Sequence, residues 1–223
     1  MFEVVGKMKR NRVFSIVVLS SGGLCVLLSL PARISVGDES DSVTRVEEDW
    51  QLVVNEPDAD CESPQFHTVM APFNNADGLY EQTLWNYREI EDDYVAGGLQ
   101  IQSWNGEEMH RARNLEYGQL SIYEEVISWT QSLQVGGGYL TYSIYDGLSS
   151  TWGSFGKDLS LATDADLTNL EGYTPDFSVS NSCVTYGANR VSSLTITEVR
   201  YYHEGELLAV DSTDRIVYEN PDD

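Results

Sequence analysis

The stretch EVISWTQSLQVGGGYLTYSIYDGLSSTWGSFG, Glu125–Gly156, decides how this chain folds. Ile127, Trp129, Leu133 and Val135 share one parity, with Gln131 the single polar interruption, while Ser128, Thr130, Ser132 and Gln134 hold the other. Side chains alternate between the two faces of a strand, so this period of two describes a half-buried antiparallel strand. A helix would need apolar repeats three and four residues apart, and these are absent. Gly136, Gly137 and Gly138 can take the positive φ values of a tight hairpin turn. The return strand places Leu140, Tyr142 and Ile144 on one face and is expected to end at the turn pair Asp146-Gly147. An aromatic, glycine-spaced loop follows, carrying Tyr145, Trp152 and Phe155.

Strand patterns continue on both sides. Trp50, Leu52 and Val54 alternate, Phe66–Ala71 forms a second short run, and Leu79–Tyr94 is read as strand because its surroundings are β-rich. Leu99–Trp104 alternates up to Asn105-Gly106, a two-residue hairpin signal. Met109–Tyr123 is weakly patterned, and Leu159–Phe177 reads as long and irregular. In Val191–His203 the apolar parity switches from Leu194 and Ile196 to Val199 and Tyr201. One register slip would turn half of these side chains outward, so the pattern predicts a β-bulge near Thr197–Glu198. Leu207–Val210 and Arg215–Glu219 close the domain. The fold class expected is all-β: a two-sheet antiparallel sandwich of jelly-roll or concanavalin-like type, with little helix.

The 223 residues carry 13 Lys and Arg against 36 Asp and Glu, a net charge of −23. Lys7, Lys9, Arg10 and Arg12 precede an uncharged run, Val13–Leu30, ended by Pro31, with Met8 an alternative start to Met1. This reads as a cleaved secretory signal over residues 1–32, or alternatively as a retained membrane anchor. Residues 33–48 read as a flexible acidic linker, 49–219 as the sandwich and 220–223 as a tail. Without the leader, nine basic residues face 35 acidic ones, a net of −26. Such a surface repels nucleic acid and anionic lipid, so no nucleic-acid partner is expected and membrane contact is expected only through the N-terminal segment. The localisation expected is export: extracellular, periplasmic or cell-surface.

Export makes Cys61 and Cys183 a candidate disulfide, worth roughly 4 kcal/mol of chain entropy in the ideal case, against the alternative of two unrelated thiols. Several catalytic motifs fail on inspection. His203-Glu204-Gly205-Glu206-Leu207 lacks the second histidine of a zinc protease, Gly156-Lys157-Asp158 lacks the hydroxyl of a P-loop, and Gly147-Leu148-Ser149-Ser150-Thr151 lacks the last glycine of a nucleophile elbow. Some concanavalin-like glycosidases place their carboxylates on one strand as Glu-x-Asp-x-Glu, about 5 Å apart for retaining chemistry. Glu89, Glu91 and Asp93 are the nearest match considered, weighed against an exposed acidic loop. Asp58, Asp60 and Glu62, and separately Asp164 and Asp166, begin with the one-three-five spacing of a calcium loop but lack its glycine and final glutamate. No cofactor is expected, and calcium is the candidate cation. Tyr145, Trp152 and Phe155 either stack on sugar rings or fold back to plug the core.

The segments ISWTQSLQV, LTYSIYDGLSSTWGSFG and SSLTITEVRYYHEGELLAVDST resemble exported bacterial proteins of unassigned activity with a concanavalin- or laminin-G-like sandwich. The resemblance spans Trp50–Glu219 and implies a module that binds polysaccharide or cell-surface components, an analogy of fold. The function expected is therefore an exported recognition module. The alternatives are a polysaccharide-cleaving glycoside hydrolase and a structural or assembly protein without ligand.

Overall fold

The computed structural model describes residues 42–56, 64–74, 78–87, 98–115, 117–120 and 122–221. Two antiparallel sheets make an all-β sandwich. The larger contains β1 (Arg45–Val54), β6 (Val126–Gly136), β7 (Tyr139–Ser149), β8 (Gly153–Phe155), β9 (Leu159–Asp164), β11 (Val191–His203), β12 (Glu206–Asp211) and β13 (Arg215–Glu219). Its order is β12-β11-β1-β6-β7-β8, with β13 also on β11 and β9 also on β7. The smaller runs β10-β2-β3-β4-β5, from β2 (Gln65–Met70), β3 (Leu79–Tyr87), β4 (Gly98–Asn105), β5 (Glu108–Leu115) and β10 (Cys183–Tyr186). Among the described residues no helix is long and apolar enough to cross a membrane.

The central hairpin forms as its alternation demands. Gly136 pairs with Tyr139, leaving Gly137 and Gly138 as a two-residue turn at φ 61° and 83°. Those angles match the twist that joins antiparallel strands, and a β-branched residue at either position would be strained. Ile127, Trp129, Leu133 and Val135 are all buried. Gln131 is buried with them, so the polar interruption belongs to the interior. Beyond the expected end, β7 continues through Asp146-Gly147 to Ser149. The pair forms a bulge there, with Asp146 at φ 51° and the register slipping between Ser128 and Thr130 of β6.

The predicted bulge in β11 is present. Asp49 pairs with Glu198 and Trp50 with Ile196, which leaves Thr197 as the extra residue. Its hydroxyl donates to the Asp49 carbonyl at 3.2 Å. Leu194, Ile196 and Val199 are thereby all fully buried despite the parity switch.

Other expectations need correction. The first strand begins at Arg45, inside the segment assigned to a linker. Its acidic residues misled the boundary, because polarity was weighed without parity. Met109–Tyr123 contains most of β5, an edge strand whose exposed face blurs the pattern. Leu159–Phe177 holds β9 and the start of a helix, α1 (Pro175–Asn181). Thr174 caps α1 by accepting from the Asp176 amide, and Pro175 stands in the first turn, where its missing N–H costs nothing.

Register stacks the interior in layers. Phe66 opposes Trp85, Trp85 opposes Leu99, and Trp50 opposes Trp129. These rings form one cluster: Trp50 and Trp129 lie stacked at 6.0 Å, and Trp85 crosses from the small sheet to within 4.2 Å of Trp129. Phe155 meets Trp85 edge-on at 5.9 Å. Aromatic pairs of this geometry add about 0.5–1.5 kcal/mol each beyond area burial. Trp129→Ala should therefore destabilise the protein by roughly 3–5 kcal/mol, read as a lower urea midpoint with an unchanged slope.

Candidate binding cleft and the polar core behind it

One layer beyond the aromatic cluster the interior turns polar. Thr68 opposes Thr83, Gln131 opposes Glu48, and Tyr142 projects from β7. The indole N–H of Trp85 donates to Thr68 Oγ1 at 2.9 Å, so the Thr68 hydroxyl donates onward to Gln131 Oε1 at 2.5 Å. Tyr142 donates to the same oxygen at 2.7 Å, so Thr83, 2.7 Å from the phenol oxygen, donates to Tyr142. Two lines of donors, both beginning on the small sheet, thus converge on one amide oxygen of the large sheet. Gln131 Nε2 has no partner among the described residues.

Beside Gln131, Glu48 is fully buried and receives Trp50 Nε1 at 3.0 Å and Tyr173 OH at 2.6 Å. Burial pushes its carboxyl up to about 7, against the opposing pull of Ser178, Tyr173 and Trp50. In the next layer Glu81 opposes Ser103, and burial raises its carboxyl well above the ordinary range, opposed by the Ser103 hydroxyl. Ser103 donates to Glu81 Oε1 at 3.0 Å, and Thr163 of β9 donates to Ser103 at 2.7 Å. Glu81 Oε2 has no partner among the described residues.

Thr163 leads out of the core. Past the Glu81–Ser103 layer come the paired ends of β3 and β4, Leu79 and Asn105, and there a cleft of about 500 Å³ opens. Its lining mixes apolar residues, Phe73, Leu79, Ala165 and Leu167, with polar ones, Asn105, His110, Thr163, Asp164 and Asp166. Local chain packing fixes these parts. The Ala165 amide donates to the Gly138 carbonyl in the central hairpin turn at 3.0 Å, and the Gly106 amide to the Gly78 carbonyl at 3.2 Å. Gly172 passes so close to Phe73 that a Cβ there would lie 2.8 Å from the ring. Phe73 nonetheless keeps 41% of its surface exposed, which leaves a ring available at the cleft mouth.

The outer face of the large sheet carries a different cluster. Arg200 donates from Nε to Glu47 at 2.9 Å, from Nη1 to Asp49 at 2.5 Å and Glu198 at 2.8 Å, and from Nη2 to Asp49 at 2.7 Å. Tyr202 also donates to Glu47 at 2.7 Å, and Thr130 to Asp49 at 2.7 Å. For Glu47, burial works to raise the carboxyl, but hydrogen bonds from Tyr145, Tyr202 and Arg200 hold it below the usual value. Glu47, Asp49 and Gln51 occupy alternate positions of β1, the spacing of Glu-x-Asp-x-Glu with an amide in the third place. Sequence reasoning passed over this match because it straddled the assigned linker boundary. An amide cannot protonate a leaving group, and the two carboxylates are neutralised by Arg200.

The residues singled out in the sequence disperse. Phe155 is buried and meets Trp152 edge-on at 5.2 Å. Trp152 stacks on Tyr117 at 4.6 Å and donates to the Gly118 carbonyl at 2.5 Å, closing one end of the core. Tyr145 faces outward beside Glu47, so the three aromatics do not share a surface. Asp164 and Asp166 do come together, in the cleft lining. Cys183 is exposed, its sulfur 3.5 Å from His67 Nε2. Cys61, Asp58, Asp60, Glu62, Glu89, Glu91 and Asp93 lie outside the described residues. Among the described residues no group of three His, Cys, Asp or Glu is placed to hold a metal. Phe73, Asn105 and His110 were missed, since only the topology joins them.

No family model matches this chain, and no curated protein matches it. Two solved structures align with 79% of this chain and 83% of their own at 12% identity. One is SCP-B, a member of the Eqolisin family of peptidases, in complex with the tripeptide Ala-Ile-His, with a TM-score of 0.28. The other is Scytalido-glutamic peptidase with a peptide-based transition-state analogue, with a TM-score of 0.30. At that level the likeness assigns neither an activity nor a site.

The carboxyls divide by location, and the division fixes the pH dependence of stability. Glu48 and Glu81 hold protons more tightly folded than unfolded, so their contribution is complete below the unfolded value of 4.5 and is lost as pH rises, for Glu48 through about 7. Glu47 is depressed, so its contribution is present above 4.5 and lost as pH falls. Stability should therefore peak on the acidic side of neutrality. Glu48→Gln should remove a decline of roughly 3 kcal/mol between pH 4.5 and 7, read from urea unfolding across that window.

Proposed function

We propose that this protein is an exported, non-catalytic sandwich module that recognises a polyhydroxylated ligand, a polysaccharide or the glycan of a surface component. The observation that carries this reading is the cleft at the end of β3, β4 and β9. Its lining combines an exposed aromatic ring and two leucines with an amide, an imidazole, a hydroxyl and two carboxylates. A sugar presents the complement, apolar C–H faces edged by hydroxyls, and a volume of about 500 Å³ lies within the range of small-ligand sites. The basic and then apolar segment ahead of residue 33 supports export.

A recognition role is favoured over hydrolysis by where the acids stand. The carboxyls pushed upward, Glu48 and Glu81, have no exposed surface and cannot touch a substrate. The more accessible ones on the outer face, Asp49 and Glu198, are bound to Arg200, as is the nearly buried Glu47. Neither of these two groups supplies the acid and nucleophile pair that glycoside cleavage needs, and the reducing-end assay below tests the cleft's own Asp164 and Asp166 for it.

The test is calorimetric titration against a panel of soluble neutral and charged oligosaccharides, together with an assay for reducing ends. At least one oligosaccharide should bind without being cleaved. Phe73→Ala and Asn105→Ala should each weaken that binding by about tenfold while leaving the melting temperature within a few degrees, since neither side chain is core. Absence of binding across the panel, or binding that both variants leave intact, would contradict the assignment.

A further inference from the structure

We infer that the cleft selects ligands bearing a protonated amine, such as an amino sugar with its nitrogen unacylated, over their neutral acylated counterparts. This rests on the cleft being a binding site and adds the class of ligand. Among the described residues the lining contains no lysine or arginine, and its two carboxylates, Asp164 and Asp166, are both exposed. Neither carries a hydrogen bond or ion pair among the described residues. Carboxylates accept hydrogen bonds and never donate when ionised, so they call for a donor.

The third polar element points the same way. Ser103 donates to Glu81, so the proton of Thr163 is committed to Ser103. The Thr163 hydroxyl therefore offers the cleft only lone pairs. Its direction is anchored by Glu81, a side chain with no exposed surface whose Oε2 has no partner among the described residues. The polar part of the lining is thus rich in acceptors, and an ammonium group brings three donors and a positive charge.

In the same lining, the partly exposed Phe73 can receive a cation by its quadrupole, and Leu79 and Leu167 can cover an apolar body. The field of the whole chain, −23, draws cations toward it. An organic amine fits better than a bare metal ion, since among the described residues no three metal-binding side chains are grouped.

The experiment titrates the full chain with the β-1,4-linked glucosamine disaccharide, its N-acetylated counterpart and the matching glucose disaccharide, at pH 6 and physiological salt. The amine form should bind about tenfold more tightly than either neutral form, the ratio that one cation–π contact and one exposed ion pair supply together. In the double variant Asp164→Asn and Asp166→Asn, the ratio of amine to neutral affinity should fall from about ten to about three, the share that the cation–π contact alone supplies, whatever the change in neutral binding itself. That variant removes two of a net 23 negative charges, so general attraction would survive it and local recognition would not. Equal binding of amine and acetylated forms by the parent protein, or an advantage undiminished in the double variant, would overturn the inference while leaving glycan recognition in place. Binding of none of the three by the parent protein would overturn both.

Discussion

Everything in this sandwich is arranged around one amide oxygen, Oε1 of Gln131. A glutamine at the centre of a strand that is otherwise apolar on its inner face is costly unless its oxygen is satisfied. Here it accepts from Thr68 directly and from Thr83 through Tyr142; the indole N–H of Trp85 on Thr68 sets the direction of the first line, and Tyr142's donation to Gln131 sets that of the second. Because Thr68 and Thr83 belong to the small sheet and Gln131 to the large one, this oxygen holds the two sheets in a single relative register. Apolar layers can slide past one another at modest cost, whereas converging donors leave one position.

The same polar layer separates two ends with different properties. Toward β8, aromatic rings fill the space, with Trp152 and Phe155 folded inward over Trp85. Toward the β3–β4 turn, polar side chains continue through Glu81 and Ser103 until Thr163 meets the cleft. An interior that becomes polar in one direction needs hydrogen-bonding partners there, and an open cleft is where those groups reach solvent or a ligand. The Arg200 cluster on the outside of the large sheet is complementary in sign but closed upon itself. Its hydrogen bonds join β1 and β11 across the Thr197 bulge and tie the acidic centre of the sheet together.

Much of the fold was legible in the sequence because β parity is a local signal. The Ile127–Val135 alternation, the glycine turn after it and the parity switch at Thr197 each needed only a few consecutive residues. What escaped notice was of two kinds. Glu47 falls in the segment read as linker, and Asp49 just past its end, because charge at a strand start resembles disorder when the partner, Arg200, stands 151 or more residues away. The cleft is assembled from Phe73, Asn105, His110 and Asp164, four separate segments joined only by sheet order, so no spacing along the chain could reveal it. Asp164 and Asp166 carry the start of a calcium-loop spacing in the sequence, and the fold sets both in the cleft lining.

The most direct measurement is a two-dimensional ¹H–¹⁵N titration of the folded protein with whichever oligosaccharide binds, following each backbone amide. The expected result is a set of shifts confined to Phe73, Leu79, Asn105, His110 and Thr163–Leu167, with the amides around Arg200, Tyr145 and Trp152 unmoved. Shifts centred on the outer face at Arg200, or on the Trp152 loop, would contradict the placement of the site.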